Sequence, residues 1–140
     1  MTYLDRLPLA GSLLATDYGQ WSPELRQEFE DNAFNGQVGG RLLLEDDRTR
    51  VWEIRLAPGE RVSPHRHVLD YFWTALTDGR SLQHTHDGTT RSVSYLAGET
   101  RAYTFDRGEY LLHDLQNTGD NLLAFITVEL KQSANRPLPL

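Results

Sequence analysis

Three observations predict an all-β chain. Short segments of alternating or apolar residues recur from Arg41 to Leu130, Gly, Asp, Asn and Pro punctuate them at short intervals, and no repeat or low-complexity stretch interrupts the series. Many short strands at such spacing form an antiparallel sandwich or barrel.

The elements follow in order. Residues 1–37 read as an N-terminal arm with one helix signal: Ser22 is a good N-cap, Pro23 suits the first helical position, and Glu24 favours the positive helix end. Leu25 and Phe29 share a helix face that would lie on the barrel wall or across a dimer contact, and Phe34 follows beyond it. Gly36, Gly39 and Gly40 mark the passage into strands. Arg41–Glu45 ends at Asp46-Asp47; Arg50–Leu56 then alternates, with Trp52, Ile54 and Leu56 on one face. Pro58-Gly59 suits the centre of a type II turn, where Gly supplies the positive φ. His65–His67 and Tyr71–Leu76 are split by a tight reversal at Val68–Asp70. Asp78-Gly79 and Asp87-Gly88 are further turn signals. Ser92–Leu96, Ala102–Phe105, Tyr110–Leu115 and Leu122–Leu130 complete a body spanning 38–131, with Asn117-Thr-Gly-Asp120 read as a hairpin between the last two. Residues 132–140, with two prolines, read as a loose tail.

The 140 residues fit one core. A net charge of −6 provides no basic face for nucleic acid or anionic membrane. No apolar run approaches the roughly 20 residues of a membrane span, and the N-terminus lacks a basic region followed by an apolar one. The expectation is a soluble cytoplasmic protein. Without cysteine, any metal site must use His, Asp, Glu or Tyr.

His65 and His67 stand two apart on a predicted strand, so both imidazoles point the same way, about 7 Å apart along the backbone at roughly 3.3 Å per residue. With His113 from a separate apolar strand they would form a face of three nitrogen ligands. The competing reading makes them polar residues at a barrel mouth and His113 a satisfied core histidine. His84 and His86 repeat the spacing but sit beside the Asp87-Gly88 turn with no third partner, and read as a solvated face. Trp52, Trp73 and Phe125 read as barrel filling or a dimer interface.

The stretch Gly59 to Asn117 resembles the small single-domain cupins, and the resemblance extends more weakly over about Arg41 to Leu130. Gly59, His65, His67 and Gly79 fall in register with the family's first motif, but Phe72 stands where Glu is expected and Tyr71 takes the shorter spacing. His113 and Asn117 match the end of the second motif. Gly98 lies four residues farther from His113 than usual, and Gly108 is a possible displaced turn residue. The resemblance implies a cupin-type double-stranded β-helix (a jelly-roll barrel) with a short N-terminal helix, a homodimer, and a divalent Fe, Mn, Ni or Zn ion held by His65, His67 and His113. The His65-Arg-His67 and Asp70-Tyr71 run with Asn117-Thr-Gly-Asp120 resembles a group of stand-alone cupins, some linked to degradation of small organic or amino acids.

Losing the Glu leaves a bound ion its full double charge, a stronger Lewis acid and a better trap for anionic chelating substrates. Three-histidine iron sites occur among cupins resembling diketone-cleaving and thiol dioxygenases. Asp70 is a candidate substitute ligand or acid/base, although an Asp in a reversal commonly serves the turn. Tyr71 is a candidate proton donor, with pocket-wall packing as its plainer reading; Asn117 reads as a turn residue. Two functions are expected. One is a metal-dependent enzyme (dioxygenase, isomerase or lyase type) acting on a small organic acid or carbonyl compound. The other is a non-catalytic, possibly metal-free barrel that binds a small ligand.

Overall fold

The computed structural model describes residues 2–140. After a 3₁₀ turn at Tyr3–Arg6 come β1 (Ser12–Ala15), α1 (Pro23–Asp31), β2 (Arg41–Glu45), β3 (Thr49–Leu56), β4 (Arg61–His67), β5 (Asp70–Ala75), β6 (Gly79–Thr85), β7 (Thr89–Tyr95), β8 (Thr100–Tyr103), β9 (Leu111–Asn117) and β10 (Leu123–Leu130). Two antiparallel five-stranded sheets run in the orders β1-β7-β6-β9-β4 and β2-β3-β10-β5-β8. Successive strands mostly change sheet, which is the winding of a double-stranded β-helix. The loop at 118–122 is therefore a crossing between sheets and not the expected hairpin, because β9 and β10 belong to different sheets. Within-sheet hairpins join β2 to β3 and β6 to β7.

Period-two patterning drives the assembly. Trp52, Ile54 and Leu56 of β3 are buried as expected, and Ile54, Leu56 and Phe125 meet Val93, Tyr95 and Leu115 of the other sheet. Burial of each such side chain stabilises by roughly 1.5–3 kcal/mol. At the Pro58-Gly59 turn, Glu60 N–H donates to Ala57 O at 3.0 Å and Gly59 has φ +86°, with nothing near its missing Cβ. Backbone conformation alone calls for glycine there.

The arm is part of the core. Leu4 and Leu7 pack with Tyr71, Tyr103, Phe105 and Leu111, closing one end of the barrel. Ser22 Oγ accepts from Leu25 N–H at 3.0 Å, capping α1 as predicted. The helix lies on the barrel wall: Phe29 is buried against Trp21, whose Nε1–H donates to Thr90 Oγ1 at 3.2 Å. The tail, expected to be loose, is tied down. Asn135 Nδ2 donates to Val68 O at 3.0 Å, and Arg50 Nη1 donates to Leu138 O at 3.0 Å. No described helix is long and apolar enough to cross a membrane.

Candidate metal centre

β4 pairs with β9 so that His65 lies directly opposite His113. The register shifts between Val62 and His65, and this irregularity falls at Pro64, which has no N–H for the ladder. The two successive residues Pro64 and His65 are both buried as a result, and from His65 onward alternation carries His67 into the same interior. Ring centroids are 4.7 Å apart for His65–His113, 5.0 Å for His65–His67 and 5.2 Å for His67–His113. One ring nitrogen from each lies within 4.8 Å of the others.

Burial determines the charge state of these rings. Desolvation lowers the His65 pKa to about 4 and holds His67 and His113 well below the ordinary imidazole value. Near neutral pH all three are uncharged and carry a lone pair, as metal ligation requires. Neighbours select the tautomers. His65 Nδ1–H donates to Ser63 O at 2.8 Å, which leaves the Nε2 lone pair free. His113 Nδ1–H donates to Gln83 Oε1 at 3.2 Å, while Gln83 Nε2 donates to the Tyr95 hydroxyl at 2.8 Å, itself hydrogen-bonded to Ser81. Such a relay fixes a ligand ring's orientation and raises its basicity. His67 Nδ1 is buried without a hydrogen-bond partner, and its ring stacks on Tyr71 at 3.9 Å and 11°. Three converging neutral imidazoles with nitrogens to spare fit a first-row divalent ion, with small side-chain adjustments to the roughly 2.1 Å bonding distance.

The histidines line a cavity of about 50 Å³. Tyr71, Trp73, Gln83, Tyr103 and Thr127 contribute walls, Leu9 and Ala10 of the arm cover part of it, and Arg91 enters from β7. Tyr71 is buried between His67 and Tyr103, and desolvation raises its pKa well above the ordinary phenol value. Among the described residues no Asp or Glu lines the space.

Other residues singled out by sequence fall elsewhere. Tyr71 points inward, while Phe72, on the opposite face of β5, is only half-buried. Asp70 is not brought to the cluster: its Oδ1 accepts from Phe105 N–H at 2.9 Å, so the carboxylate serves the chain reversal. Asn117 is buried and serves the turn, donating to Leu56 O and Asn121 O and accepting from Gly119 N–H, each at 2.9 Å. His84 and His86 are half-buried, not solvated. His84 Nδ1 meets the buried Asp114 carboxylate at 3.0 Å, and His86 Nδ1 accepts from Leu112 N–H at 3.1 Å. Gln83 and Arg91 were not foreseen. Their signal was the Asp87-Gly88 hairpin, whose register places Gln83 opposite Arg91.

The beta-alanine degradation protein BauB of Pseudomonas aeruginosa is 36% identical over 90 residues, covering 64% of this chain and 90% of that protein. The structure is similar to a cupin domain from Bordetella pertussis Tohama I, with TM-score 0.57 and 27% identity over 65% of this chain and 90% of that one. It is also similar to an RmlC-like cupin family protein with a double-stranded β-helix fold from Methanocaldococcus jannaschii. There the TM-score is 0.52 and the identity 18%, over 64% of this chain and 76% of that one. No family model matches the sequence.

Proposed function

This chain belongs to the cupin superfamily, and on that premise we propose that it is a metal-dependent enzyme acting on a small organic acid or carbonyl compound. His65, His67 and His113 would hold one divalent Fe, Mn, Ni or Zn ion. The observation that carries this reading is the convergence of three neutral imidazoles, two of them buried and the third half-buried, on one cavity. When bound, the ion supplies Lewis-acid polarisation of a substrate oxygen, with its full double charge undiminished by an anionic ligand.

The chain's own residues supply the rest. Gln83 holds the His113 ring in one tautomer. Tyr71 buttresses the His67 ring and brings to the same cavity a phenol able to donate a proton. Leu9, Trp73 and Tyr103 shield the space from bulk water. A cavity of about 50 Å³ suits a substrate of a few heavy atoms. The relative at 36% identity is named for degradation of β-alanine, a small carboxylate, which agrees with that size. The proposal includes a cytoplasmic homodimer, for which the edge strands β1 and β2 offer exposed Leu13, Leu14, Leu42 and Leu44.

One observation favours the alternative, a non-catalytic barrel binding a small ligand: no carboxylate stands in the cavity as a general base. Elemental analysis of tag-free protein separates the readings. Near one first-row ion per chain, lost in a His65→Ala, His113→Ala double variant, supports the metal-dependent enzyme. No bound ion, and none taken up from Fe(II), Mn(II), Ni(II) or Zn(II), leaves the ligand-binding barrel.

A further inference from the structure

We infer that Arg91 is the substrate-binding residue that anchors a carboxylate, so that the cavity takes small carboxylic acids whose second oxygen function reaches the histidine face. Only the second half rests on the metal reading above.

The placement comes from alternation along β7. Thr90 faces outward to Trp21, whereas Val93 and Tyr95 are buried in the interior, and Arg91 is in phase with them. Its side chain lines the same cavity as the three histidines. It stands directly opposite Gln83, the residue hydrogen-bonded to His113. Directly paired strand residues have Cβ atoms about 5 Å apart, so the guanidinium starts one side chain from the histidine cluster.

Its partners are missing. Among the described residues Arg91 makes no side-chain hydrogen bond and no ion pair, and its Nε is buried with neither. By contrast Arg50, in phase with the buried Trp52 and Ile54 of β3, is answered by Glu45. A guanidinium presents five N–H donors in a fork that matches a carboxylate with two parallel bonds. Leaving the Nε–H buried without an acceptor is costly.

Charge supplies the second argument. Among the described residues Arg91 is the one Arg, Lys, Asp or Glu side chain lining the cavity. A bound divalent ion would add to this positive charge, and no protein anion lines the space to offset it. A ligand that brings one or two negative charges restores the balance, and a neutral ketone does not. At about 50 Å³ the cavity restricts that anion to a few carbons.

The test compares acetoacetate with acetoacetamide, its neutral counterpart of nearly the same shape. Binding is followed by tryptophan fluorescence, since Trp73 lines the cavity, on protein as purified and after metal stripping, with metal content measured for each sample. Wild type should bind acetoacetate at least about 10-fold more tightly than acetoacetamide. Arg91→Gln should weaken acetoacetate about 10- to 100-fold, the value of a charge-assisted hydrogen bond or two, and leave acetoacetamide within about twofold. Arg91→Lys, which keeps the charge but not the fork, should fall between. Equal acetoacetate binding by wild type and Arg91→Gln overturns the anchor, as does equal loss of both ligands in both variants. If the protein holds no metal but the Arg91 dependence persists, the metal reading falls and the anchor stands. If metal is present and the dependence is absent, the anchor alone falls.

Discussion

Two histidine pairs with identical spacing meet opposite fates in this barrel. His65 and His67 on β4 point inward and join His113; His84 at the end of β6 and His86 just beyond it point outward. Both strands flank β9, so the same middle strand serves both pairs. The difference is one residue of phase. His113 lies opposite His65 on one side and Thr85 on the other, so Thr85 takes the inward position and His84 meets Asp114 on the outer face. In a period-two element a single step exchanges interior for exterior. The inner pair has no anion to pair with and stays neutral. The outer pair is held by a carboxylate and a backbone amide beneath α1. Spacing alone therefore does not bring histidines together; the phase of the neighbouring strand does.

The sharpest challenge to this contrast on the outer side is Asp114. It is 1% exposed and bonded to Arg61 at 2.7 Å, to His84 Nδ1 and to His84 N–H. Removing one partner of a buried pair strands the other groups. Asp114→Ala should cost about 3 kcal/mol in chemical denaturation, with metal stoichiometry unchanged. Loss of metal at full stability would reverse the assignment of the two faces.

An interior carboxylate offers the counterpart. Glu129 is buried with Trp52 Nε1–H donating to it at 2.7 Å, and burial raises its pKa to about 7. Because the folded value lies above the unfolded one, the folded state binds more protons between pH about 4.5 and 7. Stability from this group is complete below that window and is lost as pH rises through it. Glu129→Gln, which still accepts from Trp52, should flatten that dependence and stabilise the protein by about 2 kcal/mol at pH 8. A variant less stable than wild type at pH 8 would contradict this account.

The smallest effect concerns Gln83. Gln83→Leu removes the acceptor that orients His113 and should weaken metal binding about 10- to 100-fold without abolishing it. Competition against a chelator of known affinity measures this. An unchanged affinity would mean that the His113 ring is held by packing alone.

Much of this was legible in the chain. The apolar alternation of β3, the Asp87-Gly88 hairpin and the Ser22 cap depend on neighbours in sequence, and each stands where the pattern placed it. The three histidines were readable as a group because His65 and His67 share a strand and His113 fits the same barrel pattern. Features set by distant partners were hidden. β1 has no buried alternation to announce it. The arm's Leu4 and Leu7 are core only because Tyr71, Tyr103 and Leu111 meet them across the fold. The tail is fixed by side-chain to backbone bonds such as Asn135 to Val68, which leave no periodic trace. His84 and His86 were read as facing outward, but that this face is half-buried and that His84 meets Asp114 was hidden until β6 was paired with β9.

The most direct measurement is the metal content of tag-free protein in three forms: wild type, His65→Ala with His113→Ala, and His84→Ala with His86→Ala. The account predicts near one ion per chain in wild type and in the outer double variant, and essentially none in the inner one. An ion retained by the inner variant and lost from the outer one would contradict it, and so would a wild type that takes up no divalent ion.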